Sequence, residues 1–285
     1  MTKPGQTRIG PRTFRWGERT FVMGILNITP DSFSGDGLLA TDDGVAAAVE
    51  QARAMAGEGA DLLDIGGEST RPGHATVDED EELRRVIPVV RAVRAALPDM
   101  PLTIDTTKPA VAEAALAAGA DAINDVWGVA EGGTLARIAA AHGVPIVLMH
   151  NRAEPRYEHL VQEVLEDLRR AIERAVLAGV PRSHVIVDPG IGFGKTAEQN
   201  LALLRDLGQL RSLGQPILLG TSRKSTLGKV LGLPPDQRVE ATLATTALGV
   251  AAGVDIVRVH DVRPNVRAAR MADAIVRGTW QDAGA

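Results

Sequence analysis

The chain has 285 residues, a formal net charge of −5 and 45% apolar content. That length suits one large α/β domain or two small ones, and the acidic balance supplies no basic field for nucleic acid or an anionic membrane surface. The absence of cysteine excludes disulfides, thiolate metal centres and cysteine nucleophiles. Aromatic residues are too scarce for a platform that stacks single-stranded bases. The first twenty residues lack the apolar centre of a signal peptide and no apolar run is long enough to span a bilayer, so a cytoplasmic protein with no membrane partner is expected.

In chain order, residues 13–20 alternate around Gly17 and are predicted to form a β-hairpin that plugs the lower end of the fold. Strands are predicted over 21–28, 61–65, 102–105, 122–126, 145–149, 185–188, 217–220 and 255–259, where short β-branched or apolar runs end in polar residues. Helical periodicity fills the intervals, for example over 45–58, 79–96, 110–118 and 157–178. Regular alternation of this kind implies a parallel sheet covered by helices. Eight repeats imply a (β/α)8 barrel, with 1–285 as a single domain and the barrel proper over about 21–278. Glycines at 59, 119 and 253 precede the second, fourth and eighth strands and read as turns at the stabilising face. An open doubly wound sheet would need a Gly-rich fingerprint after the first strand, and none is present.

Chemistry in such a barrel collects at the carboxyl ends of the strands. Those positions hold Asn27, Asp64 with Glu68, Asp105, Asn124 with Asp125, His150, Asp188, Lys224, and Arg258 with His260. Asp125 and Asp261 are expected to be helix N-caps. Asp105 and Asp188 end hydrophobic runs instead, and buried carboxylates need donors, so a donor-rich ligand is the natural complement. Only five lysines occur, and Lys108, Lys195 and Lys224 each follow a predicted strand, which points to a site that receives an anion. The segment Asp188 to Thr196 nearly matches a phosphate-binding GxxxxGK[ST] loop, but Pro189 stands where the first glycine belongs. It reads better as a glycine-rich lid over a flat ligand, with Phe193 as an exposed apolar wall.

Eight motifs occur together and in order: MGILNITPDSFS (23–34), DIGGESTRPG (64–73), IDTTKP (104–109), INDV (123–126), MHNR (149–152), DPGIGFGKTAEQN (188–200), GTSRKS (220–225) and RVHDV (258–262). In these the chain resembles the dihydropteroate synthases, the barrel family that joins a dihydropterin pyrophosphate to p-aminobenzoate in folate biosynthesis. The resemblance implies a dissociative substitution in which the exocyclic C–O bond breaks before the arylamine attacks. It implies that Asp105, Asn124, Met149, Asp188, Phe193, Gly220, Lys224 and Arg258 hold the pterin. The diphosphate would fall to Asn27, Thr70, Arg71, Arg258 and His260, with Mg2+ on Asn27. For p-aminobenzoate it implies Thr70, Arg71, Pro72, Phe193 and Ser225, with the backbone near Thr221. Asp105, Lys224, Arg258, Asp31 and Phe33 are the implied catalytic set, and Arg223 is expected to be a structural cation.

Two departures from the family pattern stand out. Gly35-Asp36-Gly37-Leu38 replaces the usual Asp-Gly-Gly, and the segment over 151–156 is too short to cover much of a pocket. Two other classes share part of the pattern: a barrel that transfers methyl from methyltetrahydrofolate to a corrinoid, and a pterin-binding paralogue without synthase activity. Relatives pair through late helices, so a homodimer is expected, with the apolar stretch 242–252 compatible with that face.

Overall fold

The computed structural model of the chain describes residues 5–28, 42–68, 77–128, 132–278 and 280. Its first strands, β1 (Gln6–Ile9) and β2 (Arg12–Arg15), form an antiparallel hairpin. Then follow β3 (Phe21–Asn27), α1 (Asp42–Gly57), β4 (Leu62–Gly66), α2 (Glu79–Ala96), β5 (Leu102–Asp105), α3 (Pro109–Ala118) and β6 (Ala122–Asp125). The second half carries α4 (Thr134–His142), β7 (Ile146–Met149), α5 (Leu160–Leu177), β8 (Val185–Asp188), α6 (Ala197–Arg205) and β9 (Leu218–Leu219). It ends with α7 (Ser225–Leu231), α8 (Val239–Ala252), β10 (Ile256–Val259) and α9 (Val262–Arg277). None of the described helices is long and apolar enough to cross a membrane.

Eight strands pair in parallel in the order β8-β7-β6-β5-β4-β3-β10-β9. A parallel bridge between Val187 and Ile217 closes the ring, and the Val187 N–H donates to the Pro216 carbonyl at 2.9 Å. The fold is thus the expected (β/α)8 barrel. β9 is one residue shorter than its predicted span at each end; at its start the Ile217 N–H donates to the Asp255 carboxylate (2.9 Å). The hairpin is present but lies nearer the N-terminus than predicted. Its turn is at Gly10-Pro11 rather than Gly17, because Gly10 accepts a positive φ of 53° and Pro11 then fixes the next residue.

Two apolar layers hold the barrel. The larger lies between the outer face of the strands and the helices, and includes Leu26, Leu63, Ile65, Val89, Ile104, Ile123, Leu148, Val187 and Leu219. The smaller fills the lower barrel interior, where Met23, Leu62, Ala122, Val147, Ile186, Leu218 and Ile256 meet the hairpin's Ile9 and Phe14, with Trp16 and Phe21. Phe14 and Trp16 each set an edge against the Phe21 ring, at centroid distances of 4.8 and 5.6 Å. Trp16 satisfies its buried indole N–H on the Thr7 hydroxyl at 2.9 Å.

Strand alternation connects this plug to the upper barrel. Because side chains repeat every second residue, the position two beyond each plug residue also faces inward, one layer higher. The steps run from Leu62 to Asp64, Ala122 to Asn124, Val147 to Met149, Ile186 to Asp188, Leu218 to Gly220 and Ile256 to Arg258. The polar upper interior therefore rests directly on the apolar plug. Truncating the plug with Phe14→Ala should cost about 3–5 kcal/mol, read as a lower urea midpoint with an unchanged slope; a midpoint within error of the parent would show that the hairpin carries no barrel stability.

Candidate active site

At the carboxyl ends of the strands lies a cavity of about 410 Å³. Asn27, Asp105, Asn124, Met149, Asp188, Phe193, Gly220, Lys224, Ser225, Arg258 and His260 all line it, so these site candidates share one wall-to-wall space. Asp31, Phe33, Thr70, Arg71 and Pro72 lie outside the described residues, as does the 35–38 departure.

The floor is a charge cluster. Arg258, from β10, donates through Nε to Asp64 Oδ2 at 2.5 Å and through Nη2 to Asp105 Oδ2 at 2.7 Å. Asp64 is fully buried and also accepts from Asn124 Nδ2 (2.9 Å) and from the Thr103 hydroxyl. Burial works against the Arg258 charge, but the two carboxylates more than offset it and raise its pKa. Burial pushes the Asp105 carboxyl up to about 7 against the pull of Arg258, and the charges of Asp64 and Glu82 add to the rise. Asp105 Oδ1 is buried without a hydrogen-bond partner. Such an atom is costly unless a donor arrives.

Asp188, across the cavity, accepts the Gly190 N–H at 2.7 Å through Oδ1. Burial pushes its pKa up to about 6, while that amide, Lys224 and Arg258 hold it back. The apolar wall comprises Val126, Met149 and Phe193. Phe193 is buried rather than exposed, because it packs in this trio and the Lys224 ammonium sits 3.8 Å above its ring centroid. His260 is aimed by Ser222, whose Oγ accepts the His260 N–H (3.1 Å) and lies 2.9 Å from Nδ1.

Other expectations are corrected by this geometry. His150 ends the outward-facing parity of β7, points away from the cavity and is fully buried beside Asp167. The backbone near Thr221 reaches the cavity as expected, through Gly220 and Ser222, while the Thr221 hydroxyl itself pairs with that of Thr245 at 2.7 Å. Among the described residues Asp125 caps no helix. Its Oδ1 accepts the Trp127 N–H (2.9 Å), and burial pushes its pKa up to about 6. Asp261 holds the N-cap position of α9 without a side-chain capping bond, because it grips Arg223 at 2.6 and 3.0 Å. Arg223 is thus a structural cation as expected, although part of it borders the cavity.

Lys108 lies between Glu68 and Glu82, and Lys195 turns away into its own loop, so Lys224 alone of the three borders the cavity. The sequence places Asp64 and Glu68 among the strand-end polar groups without a specific partner, and gives no signal for Ser222 or Arg238 as cavity residues. Asp64 was findable from the two-residue step above Leu62. Arg238 was not, since it reaches the cavity from the start of α8 to donate to the Arg223 carbonyl at 2.9 Å.

Residues 23–260 match the family of pterin binding enzymes. A dihydropteroate synthase of Clostridium beijerinckii is 50% identical over 271 residues, spanning 95% of this chain and 99% of that protein. The chain belongs to the dihydropteroate synthase family. Solved dihydropteroate synthases share the barrel. One from Clostridium difficile, crystallised in the presence of pteroic acid, is 49% identical with a TM-score of 0.88 and covers 93% of this chain and 99% of its own. One from Xanthomonas albilineans with 4-aminobenzoic acid is 44% identical, with a TM-score of 0.88 and coverage of 95% and 98%.

The cluster makes a signed expectation. Because the Asp64 charge helps raise the Asp105 pKa, Asp64→Asn should bring it below about 7. Titration of carboxyl carbons by NMR measures this directly, and an unchanged or higher value would contradict the electrostatic reading.

Proposed function

We propose that this chain condenses 7,8-dihydropterin-6-ylmethyl diphosphate with p-aminobenzoate, releasing diphosphate and forming 7,8-dihydropteroate in folate biosynthesis. The observation that carries the reading is a pair of buried carboxylates, one with an unpartnered oxygen, facing a cavity whose apolar wall comprises Val126, Met149 and Phe193.

A pterin presents a fork of N–H groups along one edge, and the ionised Asp188 carboxylate matches it as a carboxylate matches a guanidinium. Asn124, anchored through its amide to Asp64, offers its carbonyl oxygen to a further ring N–H. Lys224 would donate to ring acceptors, with Phe193, Met149 and Gly220 against the ring faces. Arg258 would lay its planar guanidinium along the ring and reach the diphosphate, a combination that lysine cannot match.

In the reaction the exocyclic C–O bond breaks and its electron pair leaves with diphosphate. The resulting cation is delocalised into the pterin. The arylamine lone pair then forms the C–N bond, and the amine's proton passes to solvent. Asp105, held by Arg258 at the cavity floor, would face this developing charge. A developing cation would favour its ionised form, and no solvent reorganisation is needed to supply that charge. Ser225, at the first position of α7, would help hold p-aminobenzoate in line, so that the attack is effectively unimolecular. His260 and Asn27 would meet the leaving group.

Among the described residues no group of three carboxylates or histidines is arranged to hold a metal. Asn27 offers a neutral amide oxygen at the cavity wall. That one oxygen suits a magnesium ion that would enter with the diphosphate, whose oxygens and water would complete its shell. Bound there, the ion would neutralise charge on the leaving group.

Homodimer formation is part of the same proposal. Leu248 on α8 and Met271 and Ile275 on α9 are exposed by 61–71%, on two helices that pack together. The i, i+4 spacing of Met271 and Ile275 gives α9 one apolar stripe facing outward.

A coupled assay with both substrates and magnesium tests the activity. Turnover is expected in the parent, with kcat/KM lowered by roughly 100-fold or more in Lys224→Ala and in Arg258→Ala. Pterin binding without turnover in the parent would identify a catalytically silent barrel, and absence of both would overturn the reading.

A further inference from the structure

The lysine of the near-match to a phosphate loop remains without a role in the chemistry above. Lys195 Nζ lies 3.0 Å from the Gly190 carbonyl, 3.0 Å from the Phe193 carbonyl and 3.0 Å from His150 Nδ1. As an ammonium it has three protons for these three acceptors. His150, accepting at Nδ1, carries its ring proton on Nε2, which faces Asp167 Oδ2 at 3.2 Å. Burial pulls the His150 pKa down to about 4, so the ring is neutral at ordinary pH. Arg152 holds the same Asp167 oxygen through Nε (3.0 Å) and Nη2 (2.8 Å).

The loop caught by Lys195 is the one that shapes the cavity. Its remaining groups are also tied: Gly190 N–H to Asp188, Gly192 N–H to Asn200 (2.8 Å), and the Gly194 carbonyl to the Tyr157 hydroxyl (2.9 Å). The segment after β7 packs immediately behind it. A Cβ on Gly190 would fall 1.8 Å from the His150 carbonyl oxygen, and one on Gly194 would fall 2.2 Å from that of Arg152. Both glycines have positive φ (67° and 53°), so chain geometry and close approach demand glycine together. The loop is therefore clamped from behind, while its front carries Phe193 and continues from Asp188. Burial draws the Lys195 ammonium down to about 7 against the opposing pull of Asp188, and the three acceptors meet it at 3.0 Å.

We propose that Lys195 is a positioning residue for the reaction: by tying the carbonyls of Gly190 and Phe193 to His150, it fixes the 189–194 loop so that Asp188 and Phe193 present the pterin surface ready-made. The proposal rests on the pterin-binding reading above. It also gives the segment over 151–156 a purpose. Too short to cover the cavity, that segment carries Arg152 and, with His150 and Tyr157, forms the clamp's rear face. Lys195 acts through the loop and touches no reacting atom.

The absence of cysteine allows a clean test, because Lys195→Cys introduces a unique thiol. Alkylation with 2-bromoethylamine under mild denaturant, followed by refolding, returns an ammonium at nearly the lysine length. Lys195→Cys should lose roughly 100-fold in kcat/KM, the scale of an ångström-level misplacement, and aminoethylation should restore it to within about tenfold of the parent. Calorimetry with 6-hydroxymethylpterin should show the same loss and rescue, and this arm still reads the proposal if the parent proves to have no turnover. Parent-like kinetics and affinity in folded Lys195→Cys, or no gain on aminoethylation, would overturn it. If the variant does not fold, hydrogen exchange on the parent decides: the Gly190, Gly192 and Phe193 amides should already be protected without ligand. Exchange within seconds that slows only when pterin binds would overturn the proposal.

Discussion

A largely buried guanidinium held between two aspartates is the interaction on which the site depends. Each of these charges alone would be too costly to bury. Together, Arg258, Asp64 and Asp105 join β10, β4 and β5 across the barrel, and Asn124 from β6 is fixed by the same Asp64 oxygen that Arg258 uses. Four strand ends are thus registered by one fully buried carboxylate. The arrangement leaves Asp105 Oδ1 unsatisfied. The protein stores an unmet acceptor where a donor-bearing ligand would meet it, so part of the binding free energy would come from relieving a penalty already present in the folded state.

The barrel makes such a cluster possible by layering. The apolar plug below excludes water from one side, and the hairpin closes the lower end with Phe14 and Trp16. One inward step higher, the interior changes from Leu62, Ala122, Ile186 and Ile256 to Asp64, Asn124, Asp188 and Arg258. Strand parity sets this step, so the polar floor inherits the rigidity of the sheet rather than the freedom of loops. The same parity turns His150 outward, where it becomes the acceptor for Lys195 behind the cavity wall.

This division explains what was legible in the amino-acid sequence. The eight strands and their order could be read because each is a short apolar run between helical repeats, and β5 and β8 have the predicted bounds. The inward residues Asp105, Asn124, Asp188 and Arg258 could be read as strand-end polar groups and from the family motifs. The hairpin was misplaced because Gly10-Pro11 and Gly17 are both plausible turn centres, and only packing of Phe14 and Trp16 on Phe21 chooses between them. Phe193 looked exposed because a glycine-rich segment gives no periodic burial signal. Lys195 resembled a phosphate-binding lysine by spacing, whereas its direction is set by carbonyls that take shape only after Gly190, Gly192 and Gly194 adopt positive φ. Pairings over long sequence distances, such as Arg258 with Asp64, leave no local signature at all.

Asp64 and Arg258 form one energetic unit. A double-mutant cycle on unfolding free energy, using Asp64→Ala, Arg258→Ala and the double variant, measures it most directly. Each single change should cost about 3–5 kcal/mol, because it strands a buried charge, and the double variant should cost less than the sum by at least about 2 kcal/mol. Additivity within about 0.5 kcal/mol would contradict the account, since the two side chains would then contribute independently.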